Sequence, residues 1–531
     1  MAGELPRVGD VADSAFFGAE GGDGPEALDP AVVVLIDDLI SRSIPGREGL
    51  LSVLLGIQHT FDRVSWRVQE LVADRYGMSA AQVAGVVGFY PELSPERRTS
   101  EVSPSGACEP SPPVRRACDV LTRCGVVDPE DIEHAVSLGA YNALRRALGD
   151  LEPATLIDLL KRSGLQERGG SGFPVGLKWA LVAGTEADRR FVVGNGDGFG
   201  AEPTVDQVLL EADPHRVIEG MVLAGYAVGA GQGRLFLRSE QRVGIERMER
   251  ALDQARRAGL LGHRVAGSDV DFDIEICHSA GASIGGEETS LINLIQGRRA
   301  TARPRPPFPA VSGLWDRPTL INRLETLANV PSIVAPDGDA TTPAPGTSKV
   351  IGVSGPGIEP FLAEVPLGTT VAGLFDAFLD GEVVRRIRAV HVGGPGGASF
   401  GPDRFDTALD YAAMRSLGAN LGTAGVVVLD ESVCPVAYTR SLVAASAAES
   451  CGSCPPCRIG TRVVLDLLDG IEAGRAAASD LARLESLCHH IAETSLCELG
   501  RNATVPVLTG LRFLRREYER HGANGGCPGT G

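Results

Sequence analysis

The chain is 531 residues long and carries 50 Lys and Arg against 68 Asp and Glu, a formal net charge of -18 at pH 7. That length leaves room for roughly three or four domains with cores of their own, and the negative balance argues against nucleic acid and anionic membrane surfaces as partners. No apolar run reaches the roughly 20 residues of a spanning helix, so no direct membrane insertion is expected; nothing at the N-terminus resembles a secretory signal peptide, so the 11 cysteines are expected as reduced thiols of a cytoplasmic protein.

Residues 1–28 are rich in Gly, Asp and Glu without any period and predict a disordered leader. Over 29–100 apolar residues recur at three-to-four spacing: Val33, Leu35, Ile36, Leu39 and Ile40, then Leu50, Leu51, Leu54, Leu55 and Ile57, then Val68, Leu71 and Val72. That period predicts a small helical docking module. Residues 101–128 open in a run dense in Ser, Pro and Gly and predict a linker. From 129 to 345 helical stretches alternate with strand-like segments at 190–193, 234–237 and 272–276, the pattern of an α/β nucleotide-binding core. Residues 346–410 read as a second, short α/β unit with strands near 349–353 and 389–392, 411–520 as mostly helical, and 521–531 as a flexible Gly-rich tail. The expected fold class is α/β multidomain.

Two glycine loops interrupt the core. The first reads Gly164-Leu-Gln-Glu-Arg-Gly-Gly-Ser-Gly-Phe-Pro-Val-Gly-Leu-Lys-Trp179. Small residues there let backbone N–H groups face a phosphate, with Arg168 and Lys178 supplying positive charge. It is not G-x-G-x-x-G, and a glycine cluster alone is as often an ordinary loop. The second, Ser283-Ile-Gly-Gly-Glu-Glu-Thr289, precedes an apolar helical stretch, where paired carboxylates commonly do no more than complement a helix N-terminus. Further on, Glu449-Ser-Cys-Gly-Ser-Cys-Pro-Pro-Cys-Arg458 sets Cys451, Cys454 and Cys457 at C-x-x-C-x-x-C spacing, with Cys497 as a distant fourth thiol. Three closely spaced thiolates and one remote one suit the corners of a 4Fe–4S cubane. A structural zinc site uses two separated C-x-x-C pairs instead.

The order of these motifs, together with Asp213-Pro-His-Arg-Val-Ile-Glu-Gly-Met221, Pro306-Pro-Phe-Pro-Ala-Val-Ser-Gly-Leu-Trp315 and Glu325-Thr-Leu-Ala-Asn-Val-Pro331, resembles the flavin-bearing, NADH-oxidising subunit of respiratory complex I. The same subunit type serves as the diaphorase of NAD-reducing hydrogenases and NAD-dependent formate dehydrogenases. The resemblance spans roughly residues 130 to 520. It implies a Rossmann-like FMN domain, a ubiquitin-like β-grasp domain that binds soluble ligands, and a C-terminal helical bundle holding the 4Fe–4S cluster. It implies FMN at Arg168, Gly169, Gly170 and Lys178, near Asn195, Asp197, Gly286, Glu287, Glu288 and Asn322, with Phe173 helping to hold the adenine end of NAD(H). A flavin is the usual converter between a two-electron nicotinamide and a one-electron cluster. Implied partners are a thioredoxin-like 2Fe–2S subunit and further iron-sulfur subunits of a hydrogenase, formate dehydrogenase or complex I-like assembly.

Residues Leu50-Leu-Ser-Val-Leu-Leu-Gly-Ile-Gln58 and Ala84-Gly-Val-Val-Gly-Phe-Tyr90 resemble the helical N-terminal part of that thioredoxin-like subunit. A ligand position falls on Ser103, and too few residues remain for the rest of that fold, so Cys108, Cys118 and Cys124 are expected as plain cysteines and the module as free of a 2Fe–2S centre. Cys277, Cys434 and Cys527 read as plain thiols, and His489-His490 as a surface pair. The flavin half departs from the family pattern at four places. Glu167 stands where the family has Gly. Asn195-Gly-Asp-Gly-Phe-Gly-Ala-Glu202 replaces Asn-Ala-Asp-Glu-Gly-Glu-Pro-Gly, Leu181 replaces an aromatic residue, and Arg323 replaces the second of two asparagines. Two expectations follow: an FMN-dependent diaphorase subunit, or a non-catalytic 4Fe–4S electron-transfer and scaffold subunit that has lost FMN and NADH.

Overall fold

A computed structural model describes residues 28–43, 45–90, 92–94, 112–170, 172–198, 204–279, 283–335 and 343–524. Ser103, Cys108, Gly200, Glu202, Cys527, nearly all of the leader and most of the tail lie outside these residues. The described strands, in chain order, are β1 (Val114–Arg116), β2 (Phe191–Gly196), β3 (Gln232–Arg238), β4 (Asp273–Ser279), β5 (Thr319–Arg323), β6 (Ser348–Gly355), β7 (Ile358–Pro366), β8 (Ala389–Val392), β9 (Ala398–Phe400) and β10 (Gly425–Leu429).

Strands β4, β3, β2 and β5 form, in that order, a four-stranded sheet in which every pair is parallel. A parallel sheet needs cover on both faces. The two-residue side-chain period sorts its residues accordingly. Val192, Leu235, Leu237, Ile274 and Leu320 join one apolar core, while Phe191, Val193, Phe236, Cys277 and Ile321 join another. The first face carries the helix Pro214–Val228, buried at every residue except Tyr226. Asp213 caps its start by accepting from the N–H of Arg216, and Pro214 stands where no intrahelical N–H is lost. A methyl group on Gly220 would lie 2.2 Å from the carbonyl oxygen of Leu327, so glycine sets the close crossing with the helix Leu324–Val334.

The second face is covered by the N-terminal helices Pro30–Arg42, Leu50–Phe61, Trp66–Arg75 and Ala80–Val87. Val32, Ile36, Leu51, Leu54, Val68, Val72 and Val83 share one apolar cluster with the sheet. The helical period read from the sequence is therefore the stripe that seals the sheet, and the module has no core separate from it.

The second sheet runs β1-β7-β6-β10-β8-β9 and is mixed, with β10 parallel to β6 and antiparallel to β8. Three expected boundaries shift here. The linker read over 101–128 contains β1, which pairs with β7, and the backbone N–H groups of Cys118, Asp119, Val120 and Leu121 all donate to the Glu364 carboxylate. The second α/β unit does not stop at 410, because β10 lies in the middle of its sheet with Val426 and Val428 in the core. The tail read from 521 begins inside the helix Arg515–Asn524. Beyond β10 the helices Pro435–Ala448, Thr461–Glu472, Ala478–Thr494, Glu498–Asn502, Val505–Phe513 and Arg515–Asn524 follow, with Val436, Val464, Leu468, Leu484, Ile491 and Val507 in the shared core of this last unit. Among the described residues no helix is long and apolar enough to cross a membrane.

Candidate functional site

All four strands of the parallel sheet end at one edge, the place of the ligand crevice in such sheets. Asn195 and Gly196 end β2, Arg238 ends β3, Ser279 ends β4, and Asn322 and Arg323 end β5. Register pairs Asn195 directly with Arg323. The glycine loop closes over this crevice. Its neck is fixed by the Glu167 N–H donating to the Phe173 carbonyl at 2.8 Å and by Gln166 Nε2 donating to the Gly172 carbonyl at 3.0 Å. Gly170 and Gly172 take φ of 61° and 74°, the left-handed region that favours glycine. A methyl group on Gly172 would meet the Tyr411 ring at 2.5 Å.

Lys178 lies on the helix Val175–Gly184 that follows the loop, with Nζ 2.6 Å from Glu288 Oε1 and 3.7 Å from Glu167 Oε2. Burial alone would lower its pKa, but the two carboxylates outweigh burial and hold it raised. Glu288 feels the same balance from the other side: burial raises it, and Lys178 brings it below the ordinary carboxylate value. Glu287 caps the helix Glu288–Ile295, accepting from the N–H groups of Thr289 and Ser290 at 3.0 and 2.9 Å and from Arg305 Nη2 at 3.0 Å. Asn195 donates to the Gly286 carbonyl at 3.0 Å and accepts from the Asp197 N–H at 3.1 Å. Asp197 is buried, which raises its pKa to about 7 against the opposing charges of Arg238 and Arg323. A methyl group on Gly285 would lie 2.5 Å from its Oδ2, and one on Gly286 2.9 Å from its carbonyl oxygen.

Two expected residues sit differently. Arg168 is 1 % exposed and turns away from the crevice; its Nη2 donates to the Gly346 carbonyl at 2.7 Å, so it braces the loop against the approach to β6. Phe173 is 48 % exposed and packs in no core. Asn322 joins Trp179, whose Nε1 donates to its Oδ1 at 2.9 Å, to the Glu167 carboxylate. That carboxylate also accepts from the Arg323 N–H at 2.9 Å and from Thr326 Oγ1 at 2.6 Å. The Arg323 guanidinium donates to the Asp197 carbonyl at 2.9 Å and pairs with Asp206. Arg238 and Asp206 were not legible as site residues in the sequence, since neither carries a motif of its own.

The cysteine loop follows the helix Pro435–Ala448. Gly452, at φ 78°, turns the chain, and Arg458 Nη1 donates to the Gly452 carbonyl at 2.8 Å to hold the turn. Cys457 lies in the π-helical turn Pro456–Gly460 leading into the helix Thr461–Glu472, and Cys497 stands immediately before the helix Glu498–Asn502. Gly500 brings these two elements together, since a methyl group there would lie 2.9 Å from Cys457 Cβ. Cys457 and Cys497 are buried, Cys451 and Cys454 half-buried. Cys451 and Cys454 act on the ionisation of Cys457, and Cys451 on that of Cys497. Burial pushes Cys457 up and Cys497 up to about 12, with Glu287 adding to the shift at Cys497. Among the described residues no three His, Cys, Asp or Glu side chains converge on one point as ligands of a single ion do.

Cys118 donates to the Glu364 carbonyl at 3.1 Å, Cys277 and Cys488 are buried, Cys434 lies 3.1 Å from His521 Nε2, and His489 and His490 are exposed on the helix Ala478–Thr494.

Residues 160–332 match the Nuo51 FMN-binding domain family, and residues 437–521 match the iron-sulfur binding region of NADH-ubiquinone oxidoreductase-F. The chain is 39 % identical over 416 residues to NADP-reducing hydrogenase subunit HndC of Solidesulfovibrio fructosivorans, covering 77 % of this chain and 84 % of that one. It belongs to the NADH-ubiquinone oxidoreductase-F family. To the protein NADH-quinone oxidoreductase F 2 of Rhizobium meliloti strain 1021 it is 37 % identical over 398 residues, 73 % of this chain and 94 % of that one. Its fold matches a chain of the NAD+-reducing [NiFe]-hydrogenase in the H2-reduced state with a TM-score of 0.73 at 23 % identity, over 90 % of this chain and 93 % of that one. The chain is thus an oxidoreductase subunit of the diaphorase type, in a family whose cofactors are FMN and a 4Fe–4S cluster. Gly169, Gly170, Lys178, Asn195 and Gly286, the residues that the family resemblance implies for FMN, lie within the matched FMN-binding region. A methyl group on Gly170 would meet nothing within 4 Å, so its backbone is open to a flavin phosphate, while Arg323 lies across Gly169 and would have to move for a group to approach there.

Proposed function

We propose that this chain exchanges electrons with NADH or NAD at the crevice and passes them singly through its C-terminal cysteines to partner subunits. The observation that carries this reading is that Cys497 packs in one apolar cluster with Ile284, Leu291 and Ile295, the residues flanking Glu287 and Glu288, so the crevice and the cysteines share a wall. FMN, when bound, supplies the conversion between hydride and single electrons. Gly169 and Gly170 leave the backbone bare for a phosphate, and Lys178 supplies positive charge beside them. Asn195 fixes Gly286 and the turn at Asp197, and Asp197 can hold a proton near neutral pH within the crevice. Phe173, exposed on the loop, is the residue for the adenine end of NAD(H) in this reading. Cys451, Cys454, Cys457 and Cys497 hold the 4Fe–4S cluster. The parallel-sheet unit is Rossmann-like and the mixed-sheet unit ubiquitin-like, the partners are a thioredoxin-like 2Fe–2S subunit and further iron-sulfur subunits of a soluble redox complex, and the compartment is the cytoplasm.

A second reading, an electron-transfer and scaffold subunit that takes neither FMN nor NADH, is favoured by Glu167, whose carboxylate oxygens are already engaged by Asn322, Arg323 and Thr326. Anaerobic purification followed by acid release of flavin and iron analysis separates the two. The diaphorase reading expects about one FMN with about four irons, the content of one cubane, and NADH-dependent reduction of a one-electron dye. Four irons with no flavin, even after FMN is added back, and no dye reduction would leave the scaffold reading.

A further inference from the structure

The crevice contains a side chain that the family pattern does not place there. A methyl group on Gly169 would lie 2.9 Å from Arg323 Cγ and 3.3 Å from its Cδ, and one on Gly198 would lie 3.0 Å from Arg323 Nη2. The arginine therefore spans the bare backbone of both glycine-bearing walls. Its guanidinium is fixed by the Asp197 carbonyl and by the buried Asp206, its own N–H is fixed by Glu167, and its side chain is 14 % exposed. Glu167 and Arg323 are two of the sequence's departures from the family pattern, and the structure joins them into one network. Neighbouring cations leave no gap in it: Lys178 faces Glu288 and Glu167, Arg238 faces Asp197 and Glu240, and Arg305 faces Glu287 and Glu288.

We propose that Arg323 is an internal stopper of the flavin cradle, its guanidinium held shut by Asp206 and the Asp197 carbonyl, so that FMN enters only when this side chain swings out. The proposal rests on the diaphorase reading and adds a control that the family pattern lacks. When the guanidinium leaves, Asp206 loses its cation while its Oδ1 already has no hydrogen-bond partner. A buried carboxylate left that way strongly favours the closed state. A cofactor that binds only the open state has its apparent affinity reduced by the open fraction. The same arrangement makes the affinity sensitive to any partner contact that offers Arg323 or Asp206 a substitute.

The test is FMN titration of the full chain, purified anaerobically, by quenching of flavin fluorescence, with iron per chain measured on each sample. Arg323→Asn leaves Asp206 unpaired and can fail to fold, so D206N/R323N, which removes both charges, is measured beside it. The expected result is iron content equal to wild type and FMN affinity raised about tenfold or more, the factor for one lost charge-assisted hydrogen bond. Wild type that binds FMN as tightly as D206N/R323N overturns the stopper and leaves the diaphorase reading intact. Iron-replete proteins that all fail to bind FMN overturn both.

Discussion

Glu92, at the end of the N-terminal module, meets Glu240 of the sheet unit inside the protein. Glu92 Oε2 accepts from Ser239 Oγ and Glu240 Oε1 accepts from Arg238 Nη2 at 2.7 Å, while Glu92 Oε1 and Glu240 Oε2 are both buried with no donor. One proton shared between the two carboxyl groups satisfies both orphaned oxygens. Burial, then the hydrogen bond and charge of Glu240, raise Glu92 to about 8, and Glu240 is held low as its partner. Nearby His59 is kept neutral by burial and by Arg242, so it offers no compensating cation. The native state therefore holds a proton that the unfolded chain releases near 4.5. The resulting stability is fully present below about pH 4.5, falls by about 1.4 kcal/mol per unit as pH rises, and is gone above about pH 8. The ceiling is about 5 kcal/mol, felt first at the module's seat on the sheet. The perturbation is Glu92→Gln, whose amide donates permanently to Glu240 and still accepts from Ser239. Hydrogen exchange of the helices Leu50–Phe61 and Trp66–Arg75, corrected for intrinsic rates, should lose about tenfold protection per pH unit between pH 6 and 8 in wild type and stay flat in the variant. Equal slopes in both proteins would refute the shared proton.

Lys349→Met should cost about 3–5 kcal/mol in a denaturation midpoint, because it strands buried Glu325, which also accepts from the Val350 N–H at 3.0 Å; K349M/E325Q should recover most of that, and a single-variant loss under about 1 kcal/mol would contradict the pair's burial. Gly176→Ala should lower the melting temperature through about 1–3 kcal/mol of overpacking, since its methyl would lie 2.6 Å from the backbone nitrogen of Lys161, and an unchanged midpoint would mean the two helices can part freely. Cys454→Ser should drop iron well below the roughly four per chain of a cubane, whereas Cys118→Ser, at a thiol engaged with the Glu364 carbonyl, should leave it unchanged; equal iron loss in both would point to misfolding rather than ligation.

The sequence made the periodic features visible and hid those that depend on register. The strands at 190–193 and 234–237 appear as β2 and β3 because Phe191-Val-Val193 and Leu235-Phe-Leu237 are the short apolar runs of a sheet buried on both sides, and 272–276 appears as β4 through the alternation of Phe272, Ile274 and Ile276 with acidic residues. β1 was invisible: three residues, Val114–Arg116, become a strand only because β7 offers an edge and Glu364 gathers the four N–H groups after it. β10 was lost among helical patterns for a similar reason, being short and central to a sheet assembled from distant segments. In the crevice, Lys178, Asn195, Asp197, Gly286, Glu288 and Asn322 could be carried over by motif and do come together. Arg168 could not be read correctly, since nothing local says which way an arginine beside glycines will turn. Asp206 and Arg238 gain their roles from strand ends meeting in space.

One apolar body links the module to the redox-bearing segments. Phe191, Val193, Phe236 and Cys277 on the second face of the parallel sheet pack in the same cluster as Val32, Leu54 and Val72 of the module and as Cys497, with Cys451, Leu496 and Leu499 against it. The module that seals the sheet therefore also builds the apolar side of the cysteine site, and Ile284, Leu291 and Ile295 connect that site to the crevice. Lys178 and Glu288, both largely out of solvent, interact through a medium that screens them poorly. A change at Arg323 or Glu92 is then felt beyond its own contacts: the first alters which charges remain unpaired in the crevice, and the second alters how firmly the module closes the wall that crevice and cysteines share.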